Sequence, residues 1–108
     1  MRVNRRLNRS SMSRRTAEDA TAIYPSGHFT GVASISAFLG GLQERFRGVR
    51  FTQMSGIEEQ HEWFRVAWRM TLSDKSVLAE GEDIAERAPD GRMIRVVGFH
   101  NPLPPRPS

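Results

Sequence analysis

The chain has 108 residues, which is the size of one small domain. It carries 16 basic and 12 acidic residues, a formal net charge of +4, and no cysteine. The lack of cysteine excludes disulfides, thiolate metal sites and a thiol nucleophile, and it fits a reducing cytoplasm. No apolar run reaches the roughly 20 residues of a membrane span, so we expect no membrane partner.

The basic charge belongs to the N-terminal tail. Residues 1–15 hold six arginines and no acid, which leaves ten basic and twelve acidic residues for the rest of the chain. The tail has too few apolar residues to offset its ordering entropy, which predicts disorder. A basic arm, an Arg-rich targeting sequence and a solvated extension with no role all fit it. Nucleic-acid binding is therefore not expected except through this tail.

The segment that follows the tail predicts a short helix and then a turn. Residues 16–23, TAEDATAI, begin with Thr16 as a helix N-cap, and Pro25 would end the helix because the residue before proline avoids helical geometry. Residues 25–31, PSGHFTG, have turn chemistry and predict a tight hairpin or a loop around His28.

Residues 32–46 carry the strongest helical pattern in the chain, because their apolar residues recur at helical spacing. From Val49 onward the period changes to two, which predicts strands at 50–54, 57–72, 77–87 and 92–100. The turn sequences SDKS and APDG separate the last three strands and predict an antiparallel meander. Residues 101–108 hold four of the six prolines and leave the sheet as an extended tail.

The position of the SDKS turn sets the register of the two longest strands. If residues 73–76 form the loop, Leu72 faces Val77, and the pairs that follow are Met70 with Ala79, Trp68 with Gly81, Val66 with Asp83, and Phe64 with Ala85. This face is apolar and has one charge, Asp83. Gly81 opposite Trp68 would leave open space beside the indole.

The other face of the same strands carries charges of both signs. Arg69 falls opposite Glu80, and Arg65 lies diagonal to Glu82 and Glu86. Cross-strand ion pairs of this kind contribute about 0.2–1 kcal/mol each on a wet surface. The pattern favours a structural role for both arginines over substrate binding.

Asp83 is the candidate catalytic residue. An inward carboxylate needs a partner or water, and burial raises its pKa toward the range that serves proton transfer. Two structural interpretations stay open: Asp83 could pair with an arginine or cap an amide inside a closed core, or a one-residue bulge could turn it to solvent. Trp68 in an apolar stripe is typical of a core as well as of a cavity wall.

Metal and cofactor sites are not expected. His28, His61 and His100 are widely separated, and HEWFR at 61–65 lacks the second histidine of a zincin motif. The sequence contains no G-x-G-x-x-G, P-loop or G-x-S-x-G motif.

The order of motifs resembles the nuclear transport factor two-like superfamily, and most of all its SnoaL-like branch. The resemblance covers about residues 17–100 and rests on YPSGHFTG, VASISAFL, WFRVAWRM, LAEGEDIAE and PDGRMIRVVGFH. Its most specific parts are R-x-x-W at 65–68, G-x-D at 81–83 and the D-G-R turn at 90–92. It implies an α+β cone, in which a strongly curved antiparallel sheet wraps around helices and encloses an apolar pocket. Members include ketosteroid isomerases, polyketide cyclases and non-catalytic binding domains, and many dimerise through the outer sheet face. The usual first long helix is missing here or is replaced by the arginine tail, so the resemblance is to a member with a shortened N-terminus.

The resemblance places Asp83 at the inward G-x-D position, where catalytic members often have a general base. We therefore predict a single domain at 16–100 that binds a small apolar ligand and acts as an isomerase or cyclase. The expected pocket residues are Trp68, Phe64, Val66 and Phe38, with Tyr24 or His28 at the mouth as a proton donor. A non-catalytic binding or dimerisation module with a vestigial pocket is the alternative, and a homodimer through the outer sheet face is expected in either case.

Overall fold

The computed structural model describes residues 16–107. In chain order its elements are β1 (Thr16–Tyr24), β2 (Gly27–Thr30), α1 (Val32–Arg45), β3 (Arg50–Gln53), β4 (Glu58–Gln60), β5 (Trp63–Thr71), β6 (Val77–Arg87) and β7 (Met93–His100). The predicted disordered tail at 1–15 and any nucleic-acid contact through it lie outside the described residues.

The strands form one curved sheet in the order β2-β1-β7-β6-β5-β3, and β4 pairs with the free part of β5. Strands β5, β6 and β7 form the predicted antiparallel meander. The pairing of β1 with β7 is parallel, so the sheet is mixed. The prediction of a purely antiparallel sheet is wrong at this pair of strands. Helix α1 packs against β1 and β2 on one face of the sheet, and the predicted α+β class is confirmed.

Residues 16–23 form most of strand β1, and the prediction of a helix there is wrong. Ala20 and Ala22 are fully buried and alternate with more exposed neighbours, as one face of a strand requires. The backbone of β1 pairs with β2 on one side and β7 on the other, and this pairing outweighs the weak helical propensity of the segment. Thr16 is buried as part of the strand and is not a helix cap.

The hairpin predicted within residues 25–31 is confirmed. Tyr24 pairs with Gly27 across the two-residue turn Pro25-Ser26. Gly31 then has a φ of +91°, a conformation that glycine adopts without strain, and α1 begins at the next residue. The hairpin therefore brings the start of the helix back onto β1.

Helix α1 matches the predicted helix to within one residue. Its Ile35 is fully buried and packs with Ala20, Ala22, Ala85 and Val96 from three strands. Ile35 is thus the side chain that joins the helix to the sheet. Among residues 16–107, no helix is long and apolar enough to cross a membrane.

The long strand predicted at 57–72 is two strands, β4 and β5, which fold back on each other. The turn is His61-Glu62, and His61 has a left-handed φ of 55°. As a consequence Arg65 pairs with Glu58 on β4 and forms an ion pair with it. Its predicted position diagonal to Glu82 and Glu86 is confirmed, because Arg65 lies opposite Ile84. The other predicted ion pair is confirmed, with Arg69 Nε 2.6 Å from the carboxylate of Glu80.

The register predicted for β5 and β6 is confirmed over most of its length. The pairs are Phe64 with Ala85, Val66 with Asp83, Trp68 with Gly81, and Met70 with Ala79. At the turn the prediction is wrong by one residue, because a register shift after Met70 puts Thr71 opposite Val77 where Leu72 was expected. The shift lies outside the segment that contains Asp83, so it leaves the face of Asp83 unchanged.

Candidate active site on the inner face of the sheet

Asp83 lies on the face of the sheet that α1 covers, which we call the inner face. Ala85, two residues further along β6, belongs to the buried cluster around Ile35, and alternate residues of a strand share a face. The neighbours of Asp83 across the sheet are Val66 on β5 and Gly98 on β7. Paired residues also share a face, so these two lie beside Asp83 on the inner face.

The indole of Trp68 is hydrogen-bonded to Asp83, and its Nε1–H donates to Oδ1 over 2.9 Å. Gly81, opposite Trp68, makes room for this indole. A Cβ on Gly81 would lie 2.6 Å from Cζ2 of Trp68 and 2.0 Å from the backbone oxygen of Phe99. The space predicted beside the indole is therefore occupied by the ring itself and by strand β7.

Gly98 brings Tyr24 and Asp83 together. A Cβ on Gly98 would lie 2.8 Å from Oδ1 of Asp83 and 2.9 Å from Cδ1 of Tyr24. Both distances are shorter than real Cβ atoms allow, so the carboxylate and the phenol ring approach each other over a position that must lack a side chain.

Asp83 is half-buried, and burial raises the pKa of its carboxyl to about 6. The hydrogen bond from Trp68 acts in the opposite direction, because it favours the ionised form. Within residues 16–107 Asp83 takes part in no ion pair. The interpretation in which an arginine neutralises Asp83 thus finds no support in the described part of the chain.

Tyr24 is the candidate hydrogen-bond donor whose ring approaches Asp83 over Gly98. Burial raises the pKa of its hydroxyl above the usual value, and the negative charge of Asp83 raises it further. A phenol with a raised pKa stays protonated at neutral pH and can donate a hydrogen bond.

An aromatic cluster forms the wall beside Tyr24. The ring of Phe38, on α1, stacks on Tyr24 at a centroid distance of 5.4 Å and on Phe29 of β2 at 4.5 Å. The helix and the first hairpin therefore place an apolar surface next to the phenol ring of Tyr24.

The remaining residues predicted for the site are less close together. Val66 is half-buried and lies directly opposite Asp83. Phe64 packs toward the core, and the guanidinium carbon of Arg87 lies 4.2 Å from the centroid of the Phe64 ring. His28 is exposed and pairs with Ile23, whose side chain lies on the opposite face of β1 from Tyr24. The structure therefore brings Tyr24, Val66 and Trp68 to Asp83, places Phe38 against Tyr24, and leaves His28 away from the carboxylate.

Two further residues belong to the site, and sequence reasoning missed them. Gly98 lies opposite Asp83. The imidazole of His100 lies edge-on to the Trp68 ring, with 6.1 Å between the ring centroids. The inward parity shared by residues 96, 98 and 100 would have indicated His100 once the face of β7 was known. The part of the chain that the structure describes has no group of three His, Asp or Glu residues placed to hold a metal ion.

Comparison with known proteins finds relatives among solved structures. No family model matches the chain, and no curated protein matches it. A proposed isomerase of the SnoaL-like family from Agrobacterium tumefaciens superposes with a TM-score of 0.81 and 26% identity, covering 87% of this chain and 80% of that one. A proposed SnoaL-like polyketide cyclase from Jannaschia sp. CCS1 has a TM-score of 0.72 and 16% identity, with 86% and 72% covered.

A protein with a cystatin-like fold from Methylobium petroleophilum PM1 superposes with a TM-score of 0.75 and 17% identity, covering 89% of this chain and 67% of that one. The matches below 25% identity establish the fold. The Agrobacterium protein adds the closer sequence similarity. Together with the sheet, the helix and the inward G-x-D segment, these matches show that the chain has the fold of SnoaL-like and nuclear transport factor two-like proteins and is similar to them.

Proposed function

We propose that this domain binds a small apolar carbonyl compound on its inner face and removes a proton from the carbon next to the carbonyl. The reaction would be an isomerisation or a cyclisation, with Asp83 as the general base. The observation that carries the proposal is the half-buried carboxylate of Asp83, held between Trp68 and Tyr24 with no cation paired to it in the described residues.

Asp83 suits this role because its pKa of about 6 leaves it ionised at neutral pH and makes it a stronger base than an exposed aspartate. It takes the proton, the C–H electron pair becomes the enolate double bond, and the carbonyl π electrons move to oxygen. The hydroxyl of Tyr24 donates a hydrogen bond to that oxygen and stabilises its charge. In a β,γ-unsaturated carbonyl compound the enolate is conjugated with the second double bond, so the neutral Asp83 can return the proton to the γ carbon as the carbonyl re-forms, which completes an isomerisation.

Known relatives support the class of reaction. Proteins of the same fold are described as a proposed isomerase and as proposed polyketide cyclases. Both kinds of reaction begin at a carbon made acidic by a neighbouring carbonyl. Fold alone does not assign an activity, so the proposal depends on the chemistry around Asp83.

The test measures proton removal directly and needs no knowledge of the product. The protein is incubated in D2O with a panel of apolar ketones and β-diketones, and exchange at the carbon next to the carbonyl is followed by NMR. Asp83→Asn should slow exchange by about 10²-fold or more, because general bases typically contribute 10²–10⁴-fold. Tyr24→Phe should slow it less, because it removes a donor and keeps the base.

Asp19→Asn is the matched control, because Asp19 is an exposed aspartate on β1. This variant should catalyse exchange in the ketones at the wild-type rate. An unchanged rate in Asp83→Asn would remove Asp83 from the mechanism and leave the alternative of a binding module.

A homodimer through the outer face of the sheet is the second proposal. Ile23 and Phe99 are 47% and 55% exposed there. Val97 pairs with Ile23 on one side and Ile84 on the other, so apolar side chains run across three adjacent strands. A groove on the same face includes Ile84 and is also lined by Glu58, Gln60, Trp63 and Arg65. An exposed apolar surface of this kind is typical of a protein interface.

Size-exclusion chromatography with light-scattering detection tests the dimer, because it measures the mass of the protein in solution. The wild type should have the mass of two chains, and Phe99→Lys or Ile23→Lys should have the mass of one. Leu103→Lys is the control, because Leu103 is 83% exposed in the C-terminal segment beyond the sheet, and this variant should stay dimeric. A monomeric wild type at tens of micromolar would contradict the proposal.

A further inference from the structure

We infer that Trp68 is a positioning residue for Asp83: its indole N–H holds Oδ1, so that Oδ2 is the oxygen that takes the substrate proton. This inference rests on the proposed function. In the described residues Oδ1 has the indole as its partner, and Oδ2 accepts no hydrogen bond. The two oxygens of the carboxylate are therefore chemically distinct before any ligand binds.

Two glycines make this contact possible. Gly81 leaves the space in which the indole lies, and Gly98 leaves the space over which the carboxylate lies. A methyl group at either position would enter the hydrogen-bonded pair, at 2.6 Å from the indole or 2.8 Å from Oδ1. The register places each glycine directly beside the group that it accommodates, so the contact is built into the sheet.

The orientation of the indole is fixed by other rings. The imidazole of His100 lies edge-on to the indole with a centroid distance of 6.1 Å, and the ring of Phe51 is tilted against the indole with a centroid distance of 6.2 Å. A ring held in this way donates its hydrogen bond without losing further conformational freedom, which is the condition for a preorganised site. Trp68 therefore contributes through Asp83 and differs from an apolar wall residue.

The hydrogen bond from Trp68 also lowers the pKa of Asp83. A donor to the ionised form favours that form, which opposes the effect of burial. Without the indole, the carboxylate would lose its fixed rotamer and would hold its proton to higher pH. The positioning role thus predicts a change in the titration of Asp83 that mere loss of packing would not produce.

The chain provides its own control for this measurement. It has two tryptophans, and Trp63 lies on the same strand but is 39% exposed on the outer face. In ¹⁵N-labelled full-length protein, the indole N–H resonance of Trp68 should shift with pH around a midpoint near 6, and that of Trp63 should not. Asp83→Asn should abolish the shift of Trp68. A pH-independent Trp68 resonance in the wild type overturns the inference.

The second measurement follows the carboxyl carbon of Asp83 by ¹³C NMR. Trp68→Phe should raise its titration midpoint by about one pH unit, as loss of a hydrogen bond to a charged group implies. Trp63→Phe should leave it unchanged. A midpoint that stays constant or falls in Trp68→Phe overturns the inference, and if this variant does not fold, the indole measurement on the wild type and Asp83→Asn decides.

These outcomes separate the inference from the proposed function, because the NMR titrations need no substrate. Slow exchange in Asp83→Asn together with a constant Trp68 resonance rejects the positioning role and keeps the function. A titrating Trp68 resonance together with normal exchange in Asp83→Asn rejects the function, and with it the catalytic purpose of the contact.

Discussion

Asp83 lies directly opposite Gly98 in the ladder between β6 and β7, and the carboxylate occupies the space that a side chain at residue 98 would take. The phenol ring of Tyr24 approaches the same glycine from the other side, across the parallel pairing of β1 with β7. Gly98 is therefore the point at which three strands bring the candidate base and the candidate donor together.

Gly98→Ala should disturb the site and lower stability. The added methyl would lie within 3 Å of both Asp83 and Tyr24, so one or both must move. Overpacking of this kind costs about 1–3 kcal/mol of the free energy of unfolding, which a urea titration measures. We expect ketone exchange to slow in the same variant, because the base and the donor are displaced.

The control for this prediction is Gly40→Ala in α1. A Cβ at Gly40 meets nothing within 4 Å, and alanine is favoured over glycine in a helix by about 0.5–1 kcal/mol. Gly40→Ala should therefore raise the free energy of unfolding. If both variants change stability in the same direction, the close approach at Gly98 is not the cause of its effect.

Asp83→Asn should change how stability depends on pH. The pKa of Asp83 is raised from 3.8 to about 6 on folding, so the native state binds the proton more tightly than the unfolded state. The free energy of unfolding of the wild type should then fall as pH rises through this interval and level off above it. Asparagine removes this loss, so the variant should be the more stable protein at pH 7, by up to about 3 kcal/mol, and should approach the wild type near pH 4.

Asp74→Asn tests the sign with the opposite case. Hydrogen bonds from Ser76 lower the pKa of Asp74 in the folded protein, so its contribution is present at neutral pH and is lost as pH falls. This variant should be less stable than the wild type at neutral pH and should converge with it in acid. Urea titrations at several pH values distinguish the two slopes.

The face of Asp83 could be predicted because one turn sets the register of two long strands. Once SDKS is placed between β5 and β6, Val66 faces Asp83 and Trp68 faces Gly81, and the structure has these pairs. One face of these strands is mostly apolar and the other carries most of the charges, which makes such a register robust, since a slip of one residue would bury the charged face.

The neighbours on the other side of Asp83 could not be predicted in the same way. A register shift between Glu86 and Arg87 separates the APDG turn from the rest of the β6–β7 ladder. Counting from the turn pair Arg87 with Met93 would put Val97, and not Gly98, opposite Asp83. A one-residue bulge leaves no clear mark in sequence, yet it decides which face of β7 is turned inward.

The position of Tyr24 depends on a pairing that is distant in sequence. Residues 16–23 have the composition of a weak helix, and only their pairing with β7 makes them a strand. Local patterns carry no information about a parallel partner some 70 residues away. Tyr24 was therefore a candidate donor by residue type, and its approach to Gly98 emerges from the sheet.

Ile35→Ala should be strongly destabilising, because Ile35 joins α1 to the sheet. Among the described residues, Ile35 has the largest side chain that is fully buried. Removing a buried isoleucine to alanine costs about 2–5 kcal/mol of the free energy of unfolding. Ile57→Ala is the matched control, because Ile57 is 48% exposed between β3 and β4, and its cost should stay within about 0.5 kcal/mol. Equal costs in urea titrations would mean that α1 is not held by Ile35.

The outer-face pair Arg69 and Glu80 should contribute to stability and not to activity. The two side chains are 39% and 41% exposed, so solvent and salt screen their attraction. A double-mutant cycle with alanine should give a coupling of about 0.2–1 kcal/mol that decreases as salt is added. Arg69→Ala should leave ketone exchange at the wild-type rate, because Arg69 lies on the face opposite Asp83. A loss of exchange as large as that of Asp83→Asn would place the reaction on the outer face and contradict the assignment of the inner face as the site.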